Sequence, residues 1–150
     1  ENQRNSKFGS VFSNEFSKLS LVPSKKNFIY EAPGLCPYVP GSSGNRFLTV
    51  RLWKPVGKTG AQEIVTAFST GLAPGKVQYP DGFKYYYGSV VKDVNGNELA
   101  LFANNFATSE GRDAFSKLAV DFAQENLQGK ATLVEKTAGV TPEPASYYVC

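Results

Sequence analysis

An α+β fold, an antiparallel sheet with two helices on one face and extended arms at both ends, is predicted by three observations. Phe83 to Val91 alternates in polarity, meets a turn signal at Asn95-Gly96 and returns through Glu98 to Phe102, the pattern of a β-hairpin. Ala114, Phe115, Leu118, Ala119, Phe122, Ala123 and Leu127 recur at the i, i+3, i+4 spacing of one helix face. A second, shorter helical run, Ala61 to Phe68, stands among further strand-like runs, so helices and strands share one layer pair. The length of 150 residues, with 41% hydrophobic and 13% aromatic side chains, suits one domain with a substantial core, while 14 Gly and 9 Pro indicate many loops.

In chain order, residues 1–26 read as an N-terminal arm rich in Ser, Asn and Lys. Within it Phe8, Val11, Phe12, Phe16 and Leu19 take roughly the spacing of one helix face. This stripe either docks on its own domain or inserts into a partner. Phe28-Ile29-Tyr30 opens the domain as a strand and leads into a Pro/Gly-rich loop through Pro33-Gly34, Pro37 and Pro40-Gly41. Arg46 to Trp53 is the next strand, with Phe47, Thr49, Arg51 and Trp53 on one side and Leu48, Val50 and Leu52 on the other, the plainly apolar face. Pro55 and Gly57 stop it. Ile64, Val65 and Phe68 point inward from the first helix, which ends near Gly71, and Gly75 to Tyr79 reads as a short strand.

After the hairpin, Thr108-Ser109-Glu110 caps the second helix, Gly129 ends it, and Lys130 to Glu135 is the closing strand. Residues 137–150, with Pro142 and Pro144, read as an extended tail. The domain then spans 27–136. Phe28-Ile29-Tyr30 aligns with Phe83-Lys84-Tyr85, Gly44-Asn45 with Gly96-Asn97, and Gly75-Lys76 with Gly129-Lys130. These matches suggest two tandem β-β-α-β halves, 27–80 and 81–136, or a single sheet with two helices.

Composition excludes much chemistry. With no His, the chain has no imidazole base, no Ser-His-Asp or Cys-His nucleophile and few routes to zinc or haem. The carboxylates are dispersed at turns and polar helix faces, with no spacing that marks an acid-base pair, so no catalytic and no metal-binding residues are assigned. Gly71-Leu72-Ala73-Pro74-Gly75-Lys76 is not a phosphate loop, because Val77 replaces the Ser or Thr that follows the Lys and Pro74 lacks an N–H. Sixteen basic against 13 acidic residues give a net charge of +3, and the basic residues are scattered, so nucleic acid is not an expected partner. No window is apolar enough for a membrane span. Without Met, the chain is expected to be a processed or truncated product.

What remains is binding surface. Tyr38, Trp53, Tyr85, Tyr86 and Tyr87 join apolar area to a hydrogen-bonding tip, and Phe8, Phe12 and Phe16 are anchors on a polar arm; together they are the candidate partner-binding residues. Cys36 and Cys150 are open to three readings: free thiols, a disulfide, or thioether attachment of a prosthetic group.

Asn27-Phe28-Ile29-Tyr30-Glu31-Ala32-Pro33-Gly34-Leu35, followed by Arg46-Phe47-Leu48-Thr49-Val50, resembles the small linker domain of phycobilisomes. In that family an aromatic-x-Tyr-x-x-x-Gly-Leu strand precedes a Phe-x-Thr-Val strand, a helix and a Gly-Lys-Val/Ile strand. Gly75-Lys76-Val77 and Gly129-Lys130-Ala131 both stand where the last strand begins. The chain departs from the pattern after the second strand, where Arg51-Leu52-Trp53-Lys54-Pro55 replaces Val-Pro-Tyr, and in an Ala/Phe-rich rather than Arg/Ile-rich helix. The resemblance implies a non-enzymatic linker that organises pigment-bearing subunits of a photosynthetic antenna. It also implies Cys36 as a covalent bilin attachment point, and a location in a plastid, at the thylakoid surface or stroma, or in a cyanobacterial-type cytoplasm. The reading from a different class is a free-standing α+β domain that binds a small ligand or peptide between sheet and helices; an enzyme working with carboxylates or Tyr alone is a third.

Overall fold

A computed structural model describes residues 18–32 and 45–142. It is the expected antiparallel sheet with two helices, in the order β1 (Ser20–Leu21), β2 (Phe28–Glu31), β3 (Asn45–Pro55), α1 (Ala61–Gly71), β4 (Phe83–Lys92), β5 (Glu98–Phe106), α2 (Ser109–Asn126) and β6 (Ala131–Pro142). The sheet runs β1-β4-β5-β3-β6, and β2 continues the β1 margin along the same edge of β4.

The hairpin of β4 and β5 forms where Asn95-Gly96 predicts it. Asp93 fixes the turn, its Oδ1 accepting the N–H groups of Asn95 and Asn97 at 2.9 Å each. Those bonds hold the Asp93 carboxyl below its ordinary range, the bond from Asn97 contributing most. Thr108 caps α2, its Oγ1 accepting the Gly111 N–H at 3.1 Å. No side chain caps α1, which begins after Gly60.

Both helices lie on one side of the sheet, and the core between them is largely aromatic. Phe115 of α2 is fully buried, with ring centroids 4.9 Å from Tyr86, 5.1 Å from Tyr79 and 5.5 Å from Phe106. Phe68 of α1 lies 4.5 Å from Phe102 and 5.2 Å from Phe122. Two glycines permit this density. A Cβ at Gly71 would stand 2.0 Å from the Phe122 ring, so the helices meet there only because α1 has no side chain. At Gly88 it would stand 2.3 Å from Phe28 and 2.8 Å from Phe102, and the bare backbone of β4 gives Phe28 its seat.

Three expectations change. Gly75 to Tyr79 is a turn with a single bridge, Pro74 to Val77, rather than a strand. Tyr79 instead turns into the core, packing on Phe83 and Phe115 and donating its hydroxyl proton to the Leu72 carbonyl. The closing strand runs on to Pro142, six residues beyond Lys136, because Thr137 to Pro142 pair with the first half of β3. The halves also differ in space: β4 and β5 form a hairpin, whereas β2 pairs with β4 and not with β3. Of the two architectures weighed, the chain adopts the single sheet.

The alternation of β3 leaves open which side meets the helices, and the structure decides it. Its mixed side, Thr49, Arg51 and Trp53, points to the helices, as their partners Asn104, Phe102 and Ala100 in β5 do. Its plainly apolar side, Leu48, Val50 and Leu52, joins Val91 and Leu99 in a second cluster on the opposite face.

Candidate functional site

The sheet has two unlike margins. One is closed by β1 and β2, of two and four residues, short enough to offer little unpaired backbone. The other is β6, a 12-residue strand whose inner edge pairs with β3 and whose outer edge pairs with no described strand. A bulge opposite Leu52 and Trp53 bends it near its start. Leu133 and Val134 lie there, 38% and 51% exposed.

Beside that start a groove of about 610 Å³ runs between β6 and the outer side of α2. Trp53, Val120, Ala123, Leu127 and Leu133 make its apolar wall, and Gln124 and Gln128 its polar rim. Helix periodicity explains the wall: positions 120, 123, 124 and 127 share a stripe that turns from the core toward β6. An edge of backbone donors and acceptors beside an apolar groove is the arrangement that accepts an extended chain. Main-chain bonds supply adhesion, and the groove selects alternate side chains.

A second apolar patch lies on the helix-free face near the β1 and β2 margin, where Leu21 is 64% and Ile29 55% exposed. Tyr87 stands opposite Ile29 and Tyr85 opposite Glu31, both half-buried. Of the tyrosine run, these two face away from the helices. Tyr86 faces the opposite way and is 1% exposed; burial pushes its hydroxyl well above the ordinary tyrosine range. Trp53 is likewise built into the core, packed on Phe68, with only a fringe in the groove wall. Core packing takes both rings out of the exposed contact surface. Phe8, Phe12, Phe16, Cys36 and Tyr38 lie outside the described residues.

A polar set that the alternation pattern hides sits under the helices. Arg51 is 2% exposed, with Nε and Nη2 finding no hydrogen-bond partner among the described residues, and Thr49 Oγ1 and Asn104 Nδ2 are in the same condition. Sheet register places Thr49 opposite Asn104, and Asn104 opposite Tyr86. Burial lowers the Arg51 pKa, partly offset by Tyr86. Alternation groups Arg51 with Thr49 and Trp53, and the pairing of β3 with β5 turns that side toward the helices.

The described carboxylates lie apart. Asp121 pairs with Lys117 at 2.9 Å and Asp113 with Arg112 at 3.1 Å, both on α2. Among the described residues, no three His, Cys, Asp or Glu side chains are grouped to hold a metal ion, and no helix is long and apolar enough to cross a membrane. No family model matches the chain, and neither a curated protein nor a solved structure is significantly similar to it.

Proposed function

We propose that the chain is a non-enzymatic assembly protein, a linker that organises pigment-bearing subunits of a photosynthetic antenna. The observation that carries the assembly role is the 12-residue β6 margin, unpaired among the described residues and bordered by the groove of Val120, Leu127 and Leu133. A small domain that works alone blunts such an edge, as β1 and β2 do on the far margin. The groove is partly open to solvent, which suits a segment of polypeptide better than an enclosed small molecule. The antenna setting comes from the resemblance of the 27–35 and 46–50 segments to phycobilisome linkers. The exposed Leu21, Ile29 and half-buried Tyr87 add a second apolar contact patch, as a part that bridges two neighbours requires.

The test is purification from the native source under mild conditions, with size exclusion followed by visible absorbance. The proposal expects the chain to elute in a coloured complex far larger than its own 16.3 kDa. Elution as a colourless monomer would overturn it and favour the ligand-binding domain.

A further inference from the structure

Asn95 is the one asparagine in the chain that is followed by glycine. An asparagine side chain can be attacked by the next backbone nitrogen, and the attack is easiest when the next residue is Gly, which has no Cβ to obstruct it. The turn between β4 and β5 presents this pair to water. Val94, Asn95, Gly96 and Asn97 are all exposed, Val94 by 71%. Gly96 has φ +83°, and a Cβ built there would meet nothing within 4 Å, so no neighbour crowds the reacting atoms. Among the described residues the Asn95 side-chain amide has no hydrogen-bond partner; only its backbone N–H is held. By contrast, the Asn126 amide is tied to the Phe122 carbonyl at 3.0 Å, and Asn104 and Asn105 are buried in β5.

We propose that Asn95 is a site of spontaneous deamidation and that Asp93 governs its rate by holding the turn closed. In the reaction the Gly96 nitrogen attacks the side-chain carbonyl carbon of Asn95. A bond forms between them, the bond from that carbon to Nδ2 breaks, and the Gly96 proton leaves with the amide nitrogen as ammonia. Water then opens the resulting succinimide ring at either carbonyl, giving aspartate or isoaspartate. Asp93 opposes the first step through several bonds at once. Its carbonyl accepts the Gly96 N–H at 3.1 Å, so the attacking nitrogen is engaged until that bond breaks. Its Oδ1 accepts the N–H groups of Asn95 and Asn97 at 2.9 Å each, and its own N–H donates to the Asn97 carbonyl at 3.0 Å. Attack therefore proceeds from the fraction of molecules in which the turn has opened. Isoaspartate routes the main chain through the former side-chain carbon, which lengthens the turn and spoils the bracket on Asp93. The new carboxylate also adds negative charge between Asp93 and Glu98, at the end of the sheet where Glu98 pairs with Lys92. The proposal does not rest on the linker reading.

The experiment incubates the intact chain, the full-length Asp93→Ala and Asp93→Asn variants and a synthetic peptide of residues 91–99 in mildly alkaline buffer. Peptide mapping by mass spectrometry follows conversion at each asparagine, labelling by an isoaspartyl methyltransferase measures isoaspartate, and circular dichroism confirms that the variants are folded. In the intact chain Asn95 is expected to convert before any other described asparagine, mainly to isoaspartate, and more slowly than in the peptide. Folded Asp93→Ala is expected to convert about threefold to tenfold faster than the intact chain. Asp93→Asn, which keeps an acceptor oxygen, is expected to fall between the two. An intact chain that keeps Asn95 after the peptide has fully converted would overturn the site. Equal rates in the intact chain and folded Asp93→Ala, or in the intact chain and the peptide, would overturn the part given to Asp93.

Discussion

On the helix side of the sheet the buried surface is made of rings: Tyr86, Phe102, Phe106, Phe115 and Phe68 interlock with centroids 4.5 to 6.2 Å apart. On the opposite side the apolar cluster is aliphatic, Leu48, Val50, Leu52, Val91 and Leu99 among the described residues, with Ser89 and Asn105 buried beside it. The rings are long enough to fill the irregular space between two crossing helices and a twisted sheet, and they leave room for polar groups such as Arg51 and Asn104. The aliphatic side holds buried polar groups as well, Asn105 and Ser89 among them, so the two sides differ in the shape of their apolar side chains and not in their tolerance of polarity. Among the described residues, two helices close one side and none closes the other.

The comparison can be broken by substitutions on each side, measured by urea unfolding. Phe115→Ala, which empties the centre of the aromatic side, is expected to cost about 3–5 kcal/mol. Leu52→Ala should cost about 2–4 kcal/mol if the helix-free side is a true core. A cost below about 0.5 kcal/mol would mark it as ordinary surface. Gly88→Ala drives a Cβ into Phe28 and should cost about 1–3 kcal/mol, with the loss concentrated in β2 and visible as faster amide exchange at Tyr30.

Arg51→Met reverses the sign. It replaces a buried guanidinium whose Nε and Nη2 lack partners among the described residues, and it is expected to leave stability unchanged or raise it by about 1–2 kcal/mol. A loss above about 2 kcal/mol would show that the polar set is satisfied and structural.

The smallest effect concerns acid. The Asp93 carboxyl titrates lower folded than unfolded, so its contribution is complete above its ordinary value of 3.8 and is lost as pH falls through the folded value. Asp93→Asn should flatten the stability profile in that acid window and nowhere else, as followed by thermal unfolding against pH.

How much of this was legible depends on where the physics is local. Asn95-Gly96 and the Thr108 cap act within a few residues, and both are where the sequence reading puts them. The facing of β3 is not local. Alternation separates Leu48, Val50 and Leu52 from Thr49, Arg51 and Trp53, and from one strand nothing tells which set meets the helices. The pairing with β5 decides it, because Arg51 stands opposite Phe102, and Phe102 packs on Phe68 of α1. The length of β6 escaped for a related reason: Thr137 to Pro142 is strand because of its pairing with β3, while its Gly and Pro argue locally for a tail. The sequence reading groups Tyr85, Tyr86 and Tyr87 as contacts, and only the pairing of β4 with β2 and β5 separates buried Tyr86 from the other two; the β6 groove likewise needs α2 and β6 side by side.

The most direct test of the two-sided core is a double-mutant cycle on stability between Leu52→Ala and Leu101→Ala, cross-strand neighbours on the helix-free side, with Leu52→Ala and Phe115→Ala as the control. A coupling of at least about 1 kcal/mol in the first cycle and none in the control is the predicted result. Additivity within about 0.3–0.5 kcal/mol in the first cycle would contradict it, because the helix-free side would then not pack as a core.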